Sequence, residues 1–275
     1  MTLNDFEQAT AIRPGDGPST WLGDIPDGWQ QGKGAFGGVV IGILARAILA
    51  SGRGEEDQGR ALRSLSADLC APALPGPADV HVAMLRHGGN VSFVDARMMQ
   101  GSVLVARASA ALASARSIPP SPIHTMPPAM PPAKQRPWQD VSVSPVGPPN
   151  APVFTRRFEY RSTGPLPFRG GTEAVAEGWL RERRAPSVRD EANIIGLLDA
   201  WWPAVLALET GPRSAATVGY TMQLVVDPRT LDPAEPLFYR ARSIGGADNF
   251  FIELRELWQG ETIVAMNQQT FALLT

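Results

Sequence analysis

The stretch Gln259-Gly-Glu-Thr-Ile-Val264-Ala265-Met-Asn-Gln-Gln269-Thr-Phe271 decides the fold, because the chain carries its pattern twice. The other copy, Gln100-Gly-Ser-Val-Leu-Val105-Ala106-Arg-Ala-Ser-Ala110-Ala-Leu112, registers with it without a gap. Each reads as a Gln-Gly turn opening a long strand. Further upstream, Leu62-Arg-Ser-Leu-Ser-Ala-Asp-Leu-Cys-Ala-Pro72 sits beside Val218-Gly-Tyr-Thr-Met-Gln-Leu-Val-Val-Asp-Pro228, each a strand candidate closed by proline and preceded by a helix candidate. The order of helix, proline-closed strand and Gln-Gly turn is kept over about sixty residues, which a tandem duplication explains better than chance.

Both halves have the same coarse reading. One or two N-terminal strands lead to a single apolar helix, expected over 37–50 in the first half and about 190–208 in the second. Four strands follow, near 62–71, 78–87, 91–100 and 103–113, then again near 215–226, 237–243, 250–258 and 262–274. Turns of Gly-Gly, Gly-Ala-Asp or Gln-Gly type make consecutive strands antiparallel hairpins. Helices are too few for a doubly wound sheet, and a helix apolar nearly all round must be covered by the sheet. The fold class is therefore α+β, a long helix wrapped by a curled antiparallel sheet, present twice.

Between the halves, Ile118 to Pro152 holds close to half of the chain's 26 prolines. Such density continues neither helix nor central strand, so the expected division is 1–118, a connector at 119–152, and 153–275. The reading of the connector is a semi-rigid spacer without activity; a Pro-rich ligand for another domain is the alternative.

Composition narrows the function classes. With 275 residues, 44% hydrophobic and 19% charged, the chain can bury a core. A formal net charge of -2 offers no field for a phosphate backbone, so nucleic acid is not an expected partner. Cys70 is the only cysteine, which excludes an internal disulfide framework and fits a reducing compartment, the cytoplasm. The N-terminus, Met1-Thr-Leu-Asn-Asp5-Phe-Glu7, lacks a secretory signal pattern. The most apolar run, 37–50, is broken by Arg46 and falls short of the roughly twenty residues of a membrane span. His81, His87 and His124 have no metal-ligand spacing, so no metal is expected. No Gly-x-Ser-x-Gly, Walker or dinucleotide motif occurs, and no cofactor is expected.

Beside this reading stands a resemblance. Gly34-Ala-Phe36-Gly37-Gly38-Val-Val-Ile-Gly42 resembles the helix start of acyl-CoA thioesterase II and its double-hot-dog relatives. Leu85-Arg86-His-Gly-Gly89-Asn-Val-Ser92-Phe93 is similar to their following hairpin, and Ala216-Thr217-Val218 with Val264-Ala265 and Gln269 to their C-terminal half. The resemblance covers both halves but not the connector. It implies a tandem (double) hot-dog fold, an acyl-CoA substrate and hydrolysis by water without an acyl-enzyme. Hot-dog dehydratases and hydratases use a histidine near the helix start, and neither helix here has one.

Asp199 stands in Ile194-Ile-Gly-Leu-Leu198-Asp199-Ala-Trp201-Trp202-Pro203, where helical wrapping buries a carboxylate at a cost of several kcal/mol unless partners hold it. Pro203 removes the amide that the Asp199 carbonyl needs, and a kink is expected there. The alternative is an aspartate on an exposed stripe or capping the broken helix. Gln269 shares the parity of Ile263, Ala265, Phe271 and Leu273 and interrupts an apolar face. Thr217 matches a polar position of the family site; an ordinary strand threonine and an edge-facing glutamine are the plain alternatives. Under the duplication, Asp199, Thr217 and Gln269 fall opposite Ile43, Ala61 and Ala110, so polarity is confined to one half and one site per chain is expected. Gly37 or Gly38 is the expected oxyanion donor, or a packing glycine, and Phe36, Trp201 and Trp202 line an acyl tunnel or simply fill the core. A second copy of the chain, as a dimer or higher oligomer, is an open partner. The rival function is a non-catalytic hot-dog protein that holds acyl-CoA or another apolar ligand.

Overall fold

The computed structural model describes residues 4–52, 59–116, 119 and 135–274. In chain order its elements are α1 (Asp5–Ala9), β1 (Ile12–Pro14), β2 (Thr20–Ile25), β3 (Gln30–Gln31), β4 (Gly34–Ala35), α2 (Gly37–Gly52), β5 (Ala61–Leu69), β6 (Gly76–His87), β7 (Val91–Gln100) and β8 (Val103–Ala113). The second half adds β9 (Phe158–Ser162), β10 (Val175–Glu182), α3 (Glu191–Asp199), β11 (Ser214–Leu224), β12 (Leu237–Ala247), β13 (Phe250–Gln259) and β14 (Thr262–Leu274).

Apart from β3 and β4, which pair with each other, the strands of both halves join one twelve-stranded sheet in the order β1-β2-β6-β7-β8-β5-β11-β14-β13-β12-β10-β9. The halves meet where β5 and β11 pair antiparallel, from Gly219 opposite Asp68 to Gln223 opposite Ser64. Outward from this junction, β8-β7-β6-β2 on one side answers β14-β13-β12-β10 on the other. The two halves thus share a single ladder, because β5 and β11 each present an edge that the other satisfies.

Tight turns make the hairpins. Gly101 and Gly260 take left-handed φ values of 59° and 56° in the two Gln-Gly turns, where a Cβ is strained. The β12–β13 turn falls one step later than the sequence suggests, on Asp248 and Asn249 with φ of 53° and 63°. Short polar side chains tolerate that region, so Gly246 and Ala247 stay in the strand.

Helix α2 is apolar because it is enclosed: the side chains from Gly37 to Ala45 are all buried. It packs on α3 with reversed direction, since Gly37 lies by Asp199 while Arg46 bridges Asp190 at 2.7 Å. The helices approach closely through Gly38 and Gly196, where a Cβ on Gly38 falls 3.0 Å from the Gly196 Cα. Helix α3 is shorter than expected. It stops at Asp199, and a 3-10 turn over Ala204–Ala207 follows Pro203, because proline has no amide for the Asp199 carbonyl.

The most proline-dense part of the connector lies outside the described residues. From residue 135 onward the chain is fastened to β9 and β10: Trp138 stacks under the Arg161 and Arg181 guanidiniums at 4.1 and 4.7 Å, and Trp179 Nε1 donates to the Arg136 carbonyl at 2.8 Å.

Since β5 and β11 satisfy each other's edges and α2 covers α3, residues 1–118 and 150–275 made separately are expected to be insoluble or to reassociate when mixed. Size-exclusion chromatography of each half checks this, and a monomeric, folded, active C-terminal half contradicts it.

Candidate active site

The C-terminal end of α3 and the N-terminal end of α2 meet over the inner faces of β11, β13 and β14. Helix α3 is started by a reciprocal cap in which Asp190 accepts from the Asn193 amide and Asn193 Oδ1 accepts from the Asp190 amide, both at 3.0 Å. Its last residue, Asp199, sends a buried carboxylate to the start of α2. There Oδ1 accepts from Gln269 Nε2 at 2.9 Å, and the Gly38 amide stands close enough to favour the charged carboxylate. Gln269 Oε1 in turn accepts from Thr217 Oγ1 at 3.4 Å. The three residues therefore form one line, with the half-buried Thr217 at its outer end.

Strand geometry explains why these groups meet. On β14 the buried positions alternate through Ala265, Asn267, Gln269, Phe271 and Leu273, so Gln269 faces inward. A bulge between Thr217 and Gly219 leaves Val218 unpaired and sets Thr217 opposite Phe271, next to Gln269 on the same face.

Burial raises the Asp199 carboxyl above the usual carboxylate range, against Arg255, Gln269 and the Gly38 amide, which favour the charged form. The amide belongs to the first turn of α2, whose dipole also favours an anion. Arg255 Nη1 lies 3.9 Å from Asp199 Oδ1, an ion pair without a hydrogen bond. Burial works against the Arg255 charge, but the neighbouring Glu253 and Asp199 carboxylates favour it, and the guanidinium stays protonated. Tyr160, Tyr220 and Tyr239, which feel the carboxylate's charge, are neutral phenols, each driven well above its ordinary range by burial.

Of the expected site residues, the structure unites Asp199, Gln269, Thr217, Gly37 and Gly38. Gly37 leaves no room: a Cβ there meets Asp199 Oδ2 at 2.7 Å. Gly38 serves helix against helix, at Gly196, and its amide favours the charged form of Asp199. Phe36 is fully buried and stacked on Phe154 at 4.0 Å. Trp201 is buried and stacked on Tyr239 at 5.0 Å, while the neighbouring Trp202 is half-buried. Phe158 and Tyr160 link these two aromatic groups.

Sequence reasoning missed Glu253 and Arg255. Both are buried on β13, with Arg255 Nε donating to Glu253 Oε1 at 2.9 Å. Parity gave no clear sign, because Phe251 and Leu257 accompany them on one face while Phe250, Ile252 and Leu254 make the other equally apolar. Among the described residues no group of three or more His, Cys, Asp or Glu is placed to hold a metal ion, and no helix is long and apolar enough to cross a membrane.

A few helices on a large antiparallel sheet, with one carboxylate–amide–hydroxyl line, define the class, and solved structures agree on the fold. A conserved protein of unknown function with hot-dog fold from Alicyclobacillus acidocaldarius superposes with a TM-score of 0.86 at 22% identity, covering 100% of this chain and 99% of that one. The tesB protein of Mycobacterium avium subspecies paratuberculosis gives 0.77 at 15%, covering 100% of both. An acyl-CoA thioesterase II from Mycobacterium marinum gives 0.75 at 15%, covering 98% of both. The fold is the hot-dog fold. Residues 25–113 match the acyl-CoA thioesterase N-terminal domain and residues 127–273 the C-terminal domain, so the chain belongs to the acyl-CoA thioesterase family. A search of curated proteins returned no match.

Proposed function

We propose that the protein hydrolyses an acyl-CoA thioester to free acid and CoA by direct attack of water. The observation that carries this reading is the hydrogen-bonded line Asp199–Gln269–Thr217 beside the first turn of α2. A water on this line gives its proton to Asp199 as its oxygen attacks the thioester carbonyl carbon, and Gln269 and Thr217 fix its direction. The carbonyl oxygen takes up negative charge and is met by the Gly37 amide, since Gly38 serves Asp199. The tetrahedral centre then expels the CoA sulfur as the C–O double bond reforms, and the proton returns to the thiolate. The raised affinity of Asp199 for a proton suits a base that must accept one. Trp202 is the open member of the acyl wall, with Trp201 and Phe36 behind it.

On this reading each half is one hot-dog unit whose part of the sheet curves around its own helix, the C-terminal unit carries the polar residues, and the connector is a spacer. The compartment is the cytoplasm, and a dimer or higher oligomer is compatible with one site per chain.

The test is release of free CoA thiol from short, medium and long acyl-CoAs. Release above the uncatalysed rate for at least one chain length is expected. Binding of acyl-CoA without release from any of them assigns the protein instead to the non-catalytic ligand-binding class.

A further inference from the structure

The segment that carries Asp199 is a broken helix, and a break leaves backbone groups without partners. The Leu198 carbonyl lies at the end of α3, and the Ala204 amide opens the 3-10 turn whose N-cap, Pro203, supplies no side-chain hydrogen bond. Both are satisfied from β13. Arg255 Nη1 donates to the Leu198 carbonyl at 3.0 Å, and the Ala204 amide donates to Glu253 Oε2 at 2.6 Å. The two side chains are tied to each other through Arg255 Nε and Glu253 Oε1. Across the gap, the Tyr160 hydroxyl donates to the Ala200 carbonyl at 2.9 Å.

We infer that Glu253 and Arg255 are a pair of positioning residues that hold the chain on both sides of the break and thereby fix where the Asp199 carboxylate stands over α2. The inference rests on the reading of Asp199 as the water-activating residue. Two features of the pair go beyond support of the fold. One ion pair grips both flanks of residues 199–203, so a shift of β13 relative to α3 moves the carboxylate. Buried ion pairs are also costly relative to apolar packing, and a pair with no work beyond stability is a poor use of the site. Arg255 adds a charge effect: it is the cation beside Asp199 and opposes the effect of burial. The other titratable groups that act on the carboxylate are the phenols of Tyr160, Tyr220 and Tyr239, while Glu253 reaches it only through Arg255; the side of α2 contributes an amide.

The experiment uses the full chain with two variants. Glu253→Gln/Arg255→Gln removes both members of the ion pair together, so neither is left charged without the other, while Asp199 loses its neighbouring cation. Arg255→Lys keeps the charge but loses the planar fork that serves Leu198 and Glu253 together. For the double variant we expect kcat to fall about 10²-fold, as for other displacements of about 1 Å, with KM changed less than about threefold. Without the cation, the Asp199 titration and the acid limb of kcat should move up by about one pH unit. For Arg255→Lys we expect a smaller loss, about tenfold, with the acid limb unmoved, because charge is retained and only the grip is lost.

A carboxyl-carbon NMR titration follows Asp199 without any turnover, and Asp199→Asn identifies its signal. Wild-type kcat and an unmoved Asp199 titration in the folded double variant overturn the proposal. Wild-type kcat in Arg255→Lys removes the positioning role. If neither variant folds, the pair serves folding alone and the proposal falls. Failure of the water-activation reading is separate: it shows as turnover retained in Asp199→Asn, and the NMR titration then still decides whether the pair controls Asp199.

Discussion

Asp199→Asn is expected to lower turnover by about 10² to 10⁴, the usual size of a general-base contribution, while acyl-CoA binding changes much less. The amide keeps the shape of the carboxylate, and its one carbonyl oxygen can still accept from Gln269 Nε2, so the line that now runs at 2.9 Å has the atoms to persist. What disappears is the negative charge and the proton acceptor. Thr217→Val and Gln269→Ala should each lose activity as well, and neither loss should add fully to that of Asp199→Asn, because the three act on one water molecule. Steady-state CoA release from the single and double variants measures this. Near-normal turnover in folded Asp199→Asn removes the mechanism; reduced stability with normal activity per folded molecule returns Asp199 to the role of a helix-end residue.

The fold was largely legible because its signals are local. The strands at 91–100 and 103–113 follow from alternation and a Gln-Gly turn, and the left-handed Gly101 and Gly260 supply the geometry that turn requires. The stop at Pro203 was legible in place but not in extent: loss of one amide ended the α-helix at Asp199 and left a short 3-10 turn rather than a kinked continuation. Which strands join the halves was not legible. Nothing in the sequence of β5 or β11 says which edge each one seeks, since pairing depends on the position of the other half.

At the site, Asp199 and Gln269 stood out because each is polar in an apolar pattern of known period. Glu253 and Arg255 escaped because a charged pair at i and i+2 on a strand also describes a solvated face, and only the position of α3 buries it. The role of Gly38 was half-legible: glycine signalled a close approach, but the partner is the backbone of Gly196 on the other helix.

Gly37→Ala is expected to reduce turnover by about 10² with little change in stability. The new methyl group falls 2.7 Å from Asp199 Oδ2 and 3.1 Å from Leu69 Cδ1, closer than a carbon and an oxygen can stay. Neither flank of Asp199 yields easily, since Arg255 holds Leu198 and Glu253 holds Ala204, so the carboxylate itself must swing away from Gln269. A displacement of about 1 Å at a reacting group costs about 10² in rate. Alanine is at least as compatible as glycine with a helix, and melting should therefore stay within a few degrees of wild type. Gly38→Ala, one residue on, provides the contrast. Its methyl group meets the Phe36 ring at 2.5 Å and the Gly196 Cα at 3.0 Å, and Phe36 is pinned against Phe154. The helices must separate, at a cost of about 1–3 kcal/mol, as for other overpacked cores. Thermal unfolding and CoA release measured on both variants distinguish the two effects. A Gly37→Ala enzyme with wild-type turnover would mean that the carboxylate does not need its present position, and the assignment of Asp199 as the base would be lost with it.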